Sequence, residues 1–567
     1  MSAFASIVLI HSASAATHEQ IVERCRESAR PQVHACVMGK RGTGDRESNL
    51  AACRASIGRP MVTACVLREE QRLAKGKPPP AAPKIDTTIG LKGADSVQQV
   101  FVPPPRTIAD ITAILDSEKP DPAKIAERKA RADAAPPATT SPVKLAQFYY
   151  DRGTARAWLA RSREALADGQ QAITVGKGML DYVLISDIQQ LIGLQYQALG
   201  DPKQAISTFQ ATMRLAGPTL RRGITIDAMD QIATVLVSIG DVSQASSYAG
   251  RVETLVQEAR GSLHPNWRKA YPLWGNLWES NVDSVRALIF EARGQYAEAE
   301  AAYRRSEAFC RAALSDLGKW PYPRPREVFL LNADSHRLSI ARNEAKQGRL
   351  SEAEADARRA LLEILSQEGK YNPVTPPFII GLAGILVEQG RYQESERLAR
   401  AALDVQRTLG IGDGTAQSAS ILSELGNILV LQHKNEDATN VYAQLDKAVA
   451  QWTPERRQAF VNDSRIVSLY ASGQIEAGVN AAEAFVKRQI ARTGEKSFDT
   501  AAAQGTLAVG YARAGRDADA IREFKTAMPI MMAAAHENSE EDDPTLVAAR
   551  NVRLQRSVEF YIGVLAR

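Results

Sequence analysis

The chain has 567 residues, too many for one ordinary hydrophobic core, so we expect two to four domains or one extended array. The formal net charge is +5, with basic and acidic residues interleaved, and aromatic residues make up only 6% of the chain. Because no basic stripe with interleaved aromatic residues is present, these features argue against nucleic acid as a partner. No apolar run is long enough to span a membrane.

Residues 1–16 have features of a secretory signal peptide. An apolar stretch from Phe4 to Ile10 is followed by small residues, Ser12 to Ala16, that suit cleavage. No Lys or Arg precedes the apolar stretch, which leaves a cytoplasmic protein as the alternative. We therefore expect a periplasmic or secreted protein.

Residues 17–74 contain four of the five cysteines, in two similar stretches, CRESARPQVHACV and CRASIGRPMVTACV. Their spacing lacks the short C-x2-4-C pairs of structural zinc sites and the C-x-x-C of thioredoxin-like centres. An even number of clustered cysteines suits an oxidising compartment, so we predict a small helical module closed by disulfides. A hairpin would pair Cys25 with Cys65 and Cys36 with Cys53, whereas closure within each copy is the alternative.

Residues 75–142 are rich in proline, with PPPAAP, VPPP and APPATTSP, and are predicted to be a linker with short helices. Cys310 lies far from the other cysteines, in RRSEAFCRAAL on a predicted helix. We expect it to be a buried small apolar residue rather than a nucleophile.

From residue 143 to 567 the sequence repeats itself, as LGDPKQAISTF, RGQYAEAEAAY and QGRLSEAEADA illustrate. A glycine recurs at steps of about 40 to 43 residues, with two longer steps of 54 that predict longer helices or insertions. Each marks the left-handed C-cap that ends the first helix of a helical hairpin. These positions are Gly200, Gly240, Gly294, Gly348, Gly390, Gly473 and Gly515, with His433 in the equivalent place of one copy.

Small residues flank each of these glycines at fixed distances. Seven residues before it stands Gly or Ala, with Ile466 as the exception, and five residues after it stands Ala, Ser or Gly. Small side chains at both points let the two antiparallel helices of a hairpin approach closely. A weaker copy near residue 145, FYYDRGTARAWLARSREALADGQQAI, is predicted to open the array.

This pattern of small residue, glycine, alanine and aromatic residue resembles the tetratricopeptide repeat, and the longer period resembles its 42-residue kinesin-light-chain variety. The resemblance implies an all-α, right-handed superhelical α-solenoid of about eight or nine helix pairs. Three charged residues, Arg286, Glu344 and Arg465, fall where that family usually has apolar groups.

The N-terminal layout also resembles the front part of bacterial tetratricopeptide proteins that end in a caspase-like CHAT protease domain. The catalytic His and Cys of such a domain have no counterpart in this sequence. The chain ends at Arg567 in a repeat-like helix without a polar capping helix. Because solenoids normally need polar ends, we expect a shortened form or a partner that covers the last helix.

In this repeat family the first helices line a concave groove that holds peptides or partner helices. Only Arg342 and Asn427 fall in roughly suitable places for the carboxylate clamp of chaperone-binding members, and they are two repeats apart. Carried over by position, the resemblance implies a groove formed by Gln190, Gln197, Asp230, Asn281, Glu291, Arg342, Asn427, Asp463, Tyr470 and Arg513.

The sequence contains no recognisable catalytic, cofactor or metal motif. We therefore expect a non-enzymatic interaction scaffold that binds a protein or peptide. One alternative is the regulatory arm of a CHAT protease, supplied in cis or in trans. The other alternative is a cell-envelope assembly factor.

Overall fold

The computed structural model describes residues 103–216, 222–262, 265–319, 326–537 and 544–566. These residues form α-helices, one short 3-10 helix and no strand, which confirms the prediction of an all-α protein built from repeated hairpins. The predicted signal peptide and the four clustered cysteines lie outside the described residues. Their disulfides therefore stay a prediction.

The helices are numbered α1 to α22 in chain order. The first two are α1 Ala109–Ser117 and α2 Pro122–Asp133. Nine hairpins follow in the described residues, each with a first and a second helix that pack side by side. The pairs are α3 Pro142–Trp158 with α4 Ser162–Val175, α5 Tyr182–Ala198 with α6 Pro202–Ala216, α7 Arg222–Ser238 with α8 Val242–Gly261, α9 Pro265–Ala292 with α10 Tyr296–Ala313, α11 Arg326–Lys346 with α12 Leu350–Glu368, α13 Pro376–Glu388 with α14 Tyr392–Thr408, α15 Ala416–Leu431 with α16 Asn435–Ala448, α18 Asp463–Ala471 with α19 Ile475–Thr493, and α20 Phe498–Arg513 with α21 Asp517–Glu537.

Two further helices complete the described chain. The short helix α17, Pro454–Gln458, lies between the seventh and eighth hairpins, and α22, Pro544–Leu565, follows the ninth. The long steps in the repeat correspond to long first helices, because α9 has 28 residues and α11 has 21. Among the described residues, none of the helices combines the length and apolar character required to cross a lipid bilayer.

Every turn within a hairpin has its left-handed residue where the repeat predicts it. The seven recurring glycines have φ between 73° and 85°. His433 occupies the same conformation with φ 60°, and Ala160 does so in the first hairpin with φ 54°. A Cβ atom disfavours the left-handed backbone conformation, so glycine, which has none, recurs at these turns.

His433 gives a direct test of this explanation, because its side chain is exposed and its backbone is left-handed. We expect His433→Gly to raise the free energy of unfolding by about 1 kcal/mol, since glycine adopts this conformation without steric cost. The measurement is the denaturation midpoint in urea. His433→Ala is the control and should give no gain, since it keeps the Cβ atom that causes the strain.

Small residues form the seam of each hairpin, as predicted. A Cβ atom on Gly193 would lie 2.5 Å from the ring of Phe209, and one on Gly426 would lie 2.6 Å from the ring of Tyr442. Ser395 is fully buried, and its hydroxyl donates to the carbonyl oxygen of Ala383 over 2.8 Å. Alanines at the same two positions elsewhere have no exposed surface: Ala205, Ala233, Ala245, Ala287, Ala299, Ala341, Ala353, Ala438, Ala508 and Ala520.

The three charged residues at usually apolar positions are accommodated by ion pairs with neighbouring helices. Arg286 pairs with Glu253, and Arg465 pairs with Asp446. Glu344 is 1% exposed and accepts from Arg304 at 2.6 Å and from Arg349 at 3.3 Å. A buried charge costs free energy unless it is paired, so these partners explain how the repeat tolerates the departures.

Helices α1 and α2 pack against second helices of the array. Ile111 and Leu115 of α1 belong to the same hydrophobic core as residues of the fifth to seventh hairpins. Arg358 of α12 is 4% exposed and donates to both carboxylate oxygens of Asp110, at 2.8 and 2.9 Å, and to the carbonyl oxygen of Thr107. Residues 103–133 are therefore part of the compact unit that contains the repeats.

Proline does not prevent helix formation in this segment because it stands at helix starts. Pro122 occupies the first turn of α2, and the side chain of Asp121 accepts from the backbone amides of Ala123 and Lys124. Proline is tolerated in a first turn because its missing N–H would be unpaired there anyway. A proline-rich segment thus supplies two helices, of which α2 has a side-chain N-cap.

The early hairpins also contact late ones directly. Ala160 packs with Val405, Leu409 and Ile411 of the sixth hairpin and the loop after it. Arg456 of α17 donates to the carbonyl oxygens of Ala198 and Leu199, at the C-terminal end of α5. A cation at this end satisfies carbonyl groups that the helix itself leaves unpaired. These contacts join parts of the array that lie far apart in sequence.

Candidate peptide-binding groove

The first helices of successive hairpins are joined by polar contacts. Asn281 of α9 donates to Asp227 of α7 at 3.0 Å, and Lys346 of α11 pairs with Glu388 of α13 at 3.7 Å. The hydroxyl of Ser464 on α18 donates to Asn427 of α15. We call the side of the array formed by α5, α7, α9, α11, α13, α15, α18 and α20 the first-helix face.

All ten residues that the resemblance implies for the groove lie on first helices. These ten residues differ in how much of each is exposed to solvent. Arg342 and Arg513 are exposed, whereas Asp230 and Tyr470 are buried. The other six are half-buried: Gln190, Gln197, Asn281, Glu291, Asn427 and Asp463.

The structure corrects the position of Tyr470, which is 3% exposed and does not line the first-helix face. Its ring lies in the core of the eighth and ninth hairpins. A Cβ atom on Gly510 would lie 2.1 Å from the Tyr470 hydroxyl oxygen, and one on Gly478 would lie 2.5 Å from its ring. The two glycines leave the space that the ring fills, so Tyr470 is a packing residue.

Several predicted residues are held in place by the next first helix. Thr506 of α20 donates to Asp463 of α18, and Arg513 donates to the carbonyl oxygen of Tyr470 at 3.1 Å. The guanidinium of Arg513 also lies 5.5 Å from the ring centre of Phe560 on α22. These contacts restrict side-chain rotation, so a ligand would meet groups that are already oriented.

Charged residues also gather in the middle of the first-helix face. Burial raises the pKa of Glu291 on α9, which accepts from the hydroxyl of Tyr303 at 2.9 Å. Burial likewise raises the pKa of Glu424 on α15. The positive charge of Lys346 opposes both shifts, and Glu388 adds to the shift at Glu424. Of the carboxyls on this part of the face, Glu388 pairs directly with Lys346 at 3.7 Å.

Sequence reasoning missed Asp227, Lys346, Glu388 and Glu424 on this face. Asp227 stands three residues before the predicted Asp230, and Glu424 stands three residues before the predicted Asn427. Residues three apart on a helix share a face, so this spacing was a usable signal. Lys346 and Glu388 carried no comparable signal.

Residues 380–413, which span most of α13 and α14, match the family model of the tetratricopeptide repeat. The chain therefore contains a tetratricopeptide repeat in its sixth hairpin. The hairpins, their left-handed turns and their small-residue seams agree with this assignment. A search of curated proteins finds no match.

Several solved structures resemble this chain distantly. BtubC (BKLC) from P. vanneervenii has 16% identity and a TM-score of 0.29, covering 52% of this chain and 93% of that one. The Rap protein complexed with Competence and Sporulation Factor has 12% identity and a TM-score of 0.38, covering 69% and 99%. The apo quorum sensor NprR from B. thuringiensis has 13% identity and a TM-score of 0.40, covering 67% and 99%. These likenesses are too distant to transfer a function.

One buried polar cluster of this chain contains a thiol and an imidazole. Cys310 is 2% exposed, as expected, and its sulfur lies 3.0 Å from the hydroxyl of Ser280. Ser306 bridges Ser280 to His336 Nε2 over 2.9 and 3.1 Å. Burial raises the pKa of Cys310 to about 11 and lowers that of His336 to about 4. Both groups are neutral near pH 7, which is opposite to an activated thiolate and its base.

The described residues contain no group of three or more His, Cys, Asp or Glu side chains that could hold a metal ion. Arg342 and Asn427 remain on helices separated by α13 and are not brought together by any hydrogen bond between them in the described part of the chain. The site that the structure offers is therefore the row of polar and charged groups along the first-helix face.

Proposed function

We propose that this protein is a non-enzymatic scaffold that binds an extended peptide or a protein segment along the first-helix face. This face would be the concave side of a right-handed superhelix, as the family resemblance implies. One observation carries the proposal: the first helices present amide and charged side chains that their own fold leaves half-buried or exposed. Such groups give a repeat array many small, oriented contacts along one line.

We further propose that the protein works outside the cytoplasm. The support is the apolar N-terminal stretch and the even number of clustered cysteines, Cys25, Cys36, Cys53 and Cys65. Thiol titration of protein purified from the periplasm tests this. Disulfide-linked cysteines are expected there, and four free thiols would contradict the proposal.

A display selection tests the proposed function. The full chain is immobilised and panned against a random peptide library, and each enriched peptide is measured by fluorescence anisotropy. We expect Arg342→Glu to change the affinity for the enriched peptides by about tenfold, in a direction set by the charge of the peptide, because it reverses an exposed charge on the face. The matched control is Arg359→Glu, which makes the same charge change at an exposed position on the second helix α12.

Two results would contradict the scaffold proposal. One is a selection that enriches no sequence above the level of the empty support. The other is an equal change of affinity in both variants, which would indicate a general charge effect instead of a site. A continuation of the reading frame with a His- and Cys-containing α/β domain would favour the alternative of a protease-regulating arm.

A further inference from the structure

Asp230 has an unusual environment for a carboxyl group. The residue is 8% exposed, and its Oδ1 atom is buried without a hydrogen-bond partner. No ion pair or hydrogen bond joins it to another residue in the described ranges of the chain. An unpaired buried carboxylate costs several kcal/mol, so proteins normally pair such a group or keep it protonated.

The position of Asp230 places it on the first-helix face. Asp227 lies three residues earlier on α7, and residues at this spacing share one side of a helix. Asp227 accepts from Asn281 of α9 at 3.0 Å, which shows that this side of α7 is turned toward the next first helix. The two carboxyls therefore lie together between first helices.

The charges near Asp230 do not compensate it. Burial raises the pKa of Asp230 well above its ordinary value, and the nearby charge of Asp227 raises it further. A positive charge close to Asp230 would have acted in the opposite direction. Among the residues that the structure describes, Asp230 thus has no cation to compensate it.

The acidic character continues along the first-helix face. Among the described side chains of α7 to α15, those placed on this face are five carboxyls and two cations. Carboxyls thus outnumber cations among these described side chains, although the whole chain has a formal net charge of +5. The carboxyls are Asp227, Asp230, Glu291, Glu388 and Glu424, and the cations are Arg342 and Lys346.

We propose that the first-helix face receives a basic peptide segment of a partner protein, with one arginine or lysine side chain seated against Asp230 and Asp227. This inference rests on the proposed function and specifies its ligand. A guanidinium offers five N–H donors in a planar fork that matches carboxylate oxygens, and an ammonium offers three. Either group would supply the donors and the charge that Asp230 lacks.

The composition of selected peptides tests the proposal first. Peptides enriched by the full chain from a random library should contain arginine or lysine more often than the unselected library does. Replacing the arginine of an enriched peptide by citrulline keeps its shape but removes its charge. We expect this replacement to weaken binding by about tenfold or more, as measured by fluorescence anisotropy.

A variant of the protein tests the position. We expect Asp230→Asn to weaken binding of the arginine peptide by about tenfold or more, and to weaken binding of the citrulline peptide much less. The denaturation midpoint of Asp230→Asn should equal or exceed that of the wild type, because the variant loses an unpaired buried acid. The control is Asp437→Asn, an exposed position on the second helix α16, which should bind like the wild type.

The outcomes separate this inference from the proposed function. If the selection enriches acidic or apolar peptides, the scaffold function stands and the basic-ligand proposal is overturned. Equal affinity of wild type and Asp230→Asn for the arginine peptide also overturns it. If no peptide of any charge is enriched, the proposed function itself fails.

Discussion

Replacing Arg358 by methionine is expected to detach α1 from the array and to lower the free energy of unfolding by about 2–3 kcal/mol. Arg358 is 4% exposed and is the donor that holds Asp110 and the carbonyl oxygen of Thr107. Partial burial of Asp110 raises its pKa, but the hydrogen bonds from Arg358 outweigh this effect. The pKa of Asp110 therefore lies below its ordinary value. Methionine keeps most of the apolar volume and removes every donor.

Amide hydrogen exchange measures this effect locally. The amides of α1 should exchange faster in Arg358→Met, whereas those of α20, which lies in another part of the array, should keep their protection. Arg359→Met is the matched control, because Arg359 is exposed on the same helix α12. Unchanged protection of α1 in Arg358→Met would show that its apolar residues alone hold this helix.

Replacing Gly426 by alanine is expected to lower the stability of the seventh hairpin by about 1–3 kcal/mol, although alanine is the better helix former. The added Cβ atom would lie 2.6 Å from the ring of Tyr442, which is 4% exposed and has little room to move. Exchange rates of the α15 and α16 amides measure the loss.

Gly384→Ala is the opposite case and serves as the control. Gly384 lies inside α13, and a Cβ atom there would meet no atom within 4 Å. We expect the free energy of unfolding to rise by about 0.5–1 kcal/mol, because alanine has a higher helix propensity than glycine and its methyl group meets no other atom here. If both variants lose stability equally, close helix approach is not the reason for glycine at position 426.

The repeat pattern was predictable because its causes are local. A left-handed C-cap favours glycine, and the sequence shows glycine at seven of the nine hairpin turns that the structure describes, with Ala160 and His433 at the other two. The small residues seven before and five after each turn act within one hairpin. Hairpin positions and first-helix assignments therefore followed from the sequence.

The role of residues 103–133 was not predictable in the same way. The composition of this segment indicates a linker. In the structure, however, Asp110 accepts a hydrogen bond from Arg358, 248 positions later in the chain, and Ile125 packs with Val405. Contacts over such separations leave no periodic signal in one sequence. They depend on how successive hairpins are rotated against each other.

For the candidate groove too, some properties follow from the sequence and others from the tertiary structure. Sequence determined which residues lie on first helices and carry charge, because helix position and residue type are local properties. Tertiary structure decided that Tyr470 is buried between two glycines, and that Asp230 is buried without a partner beside Asp227. Burial and the sign of the neighbouring charge depend on several helices packed together, and these properties determine what ligand the face could hold.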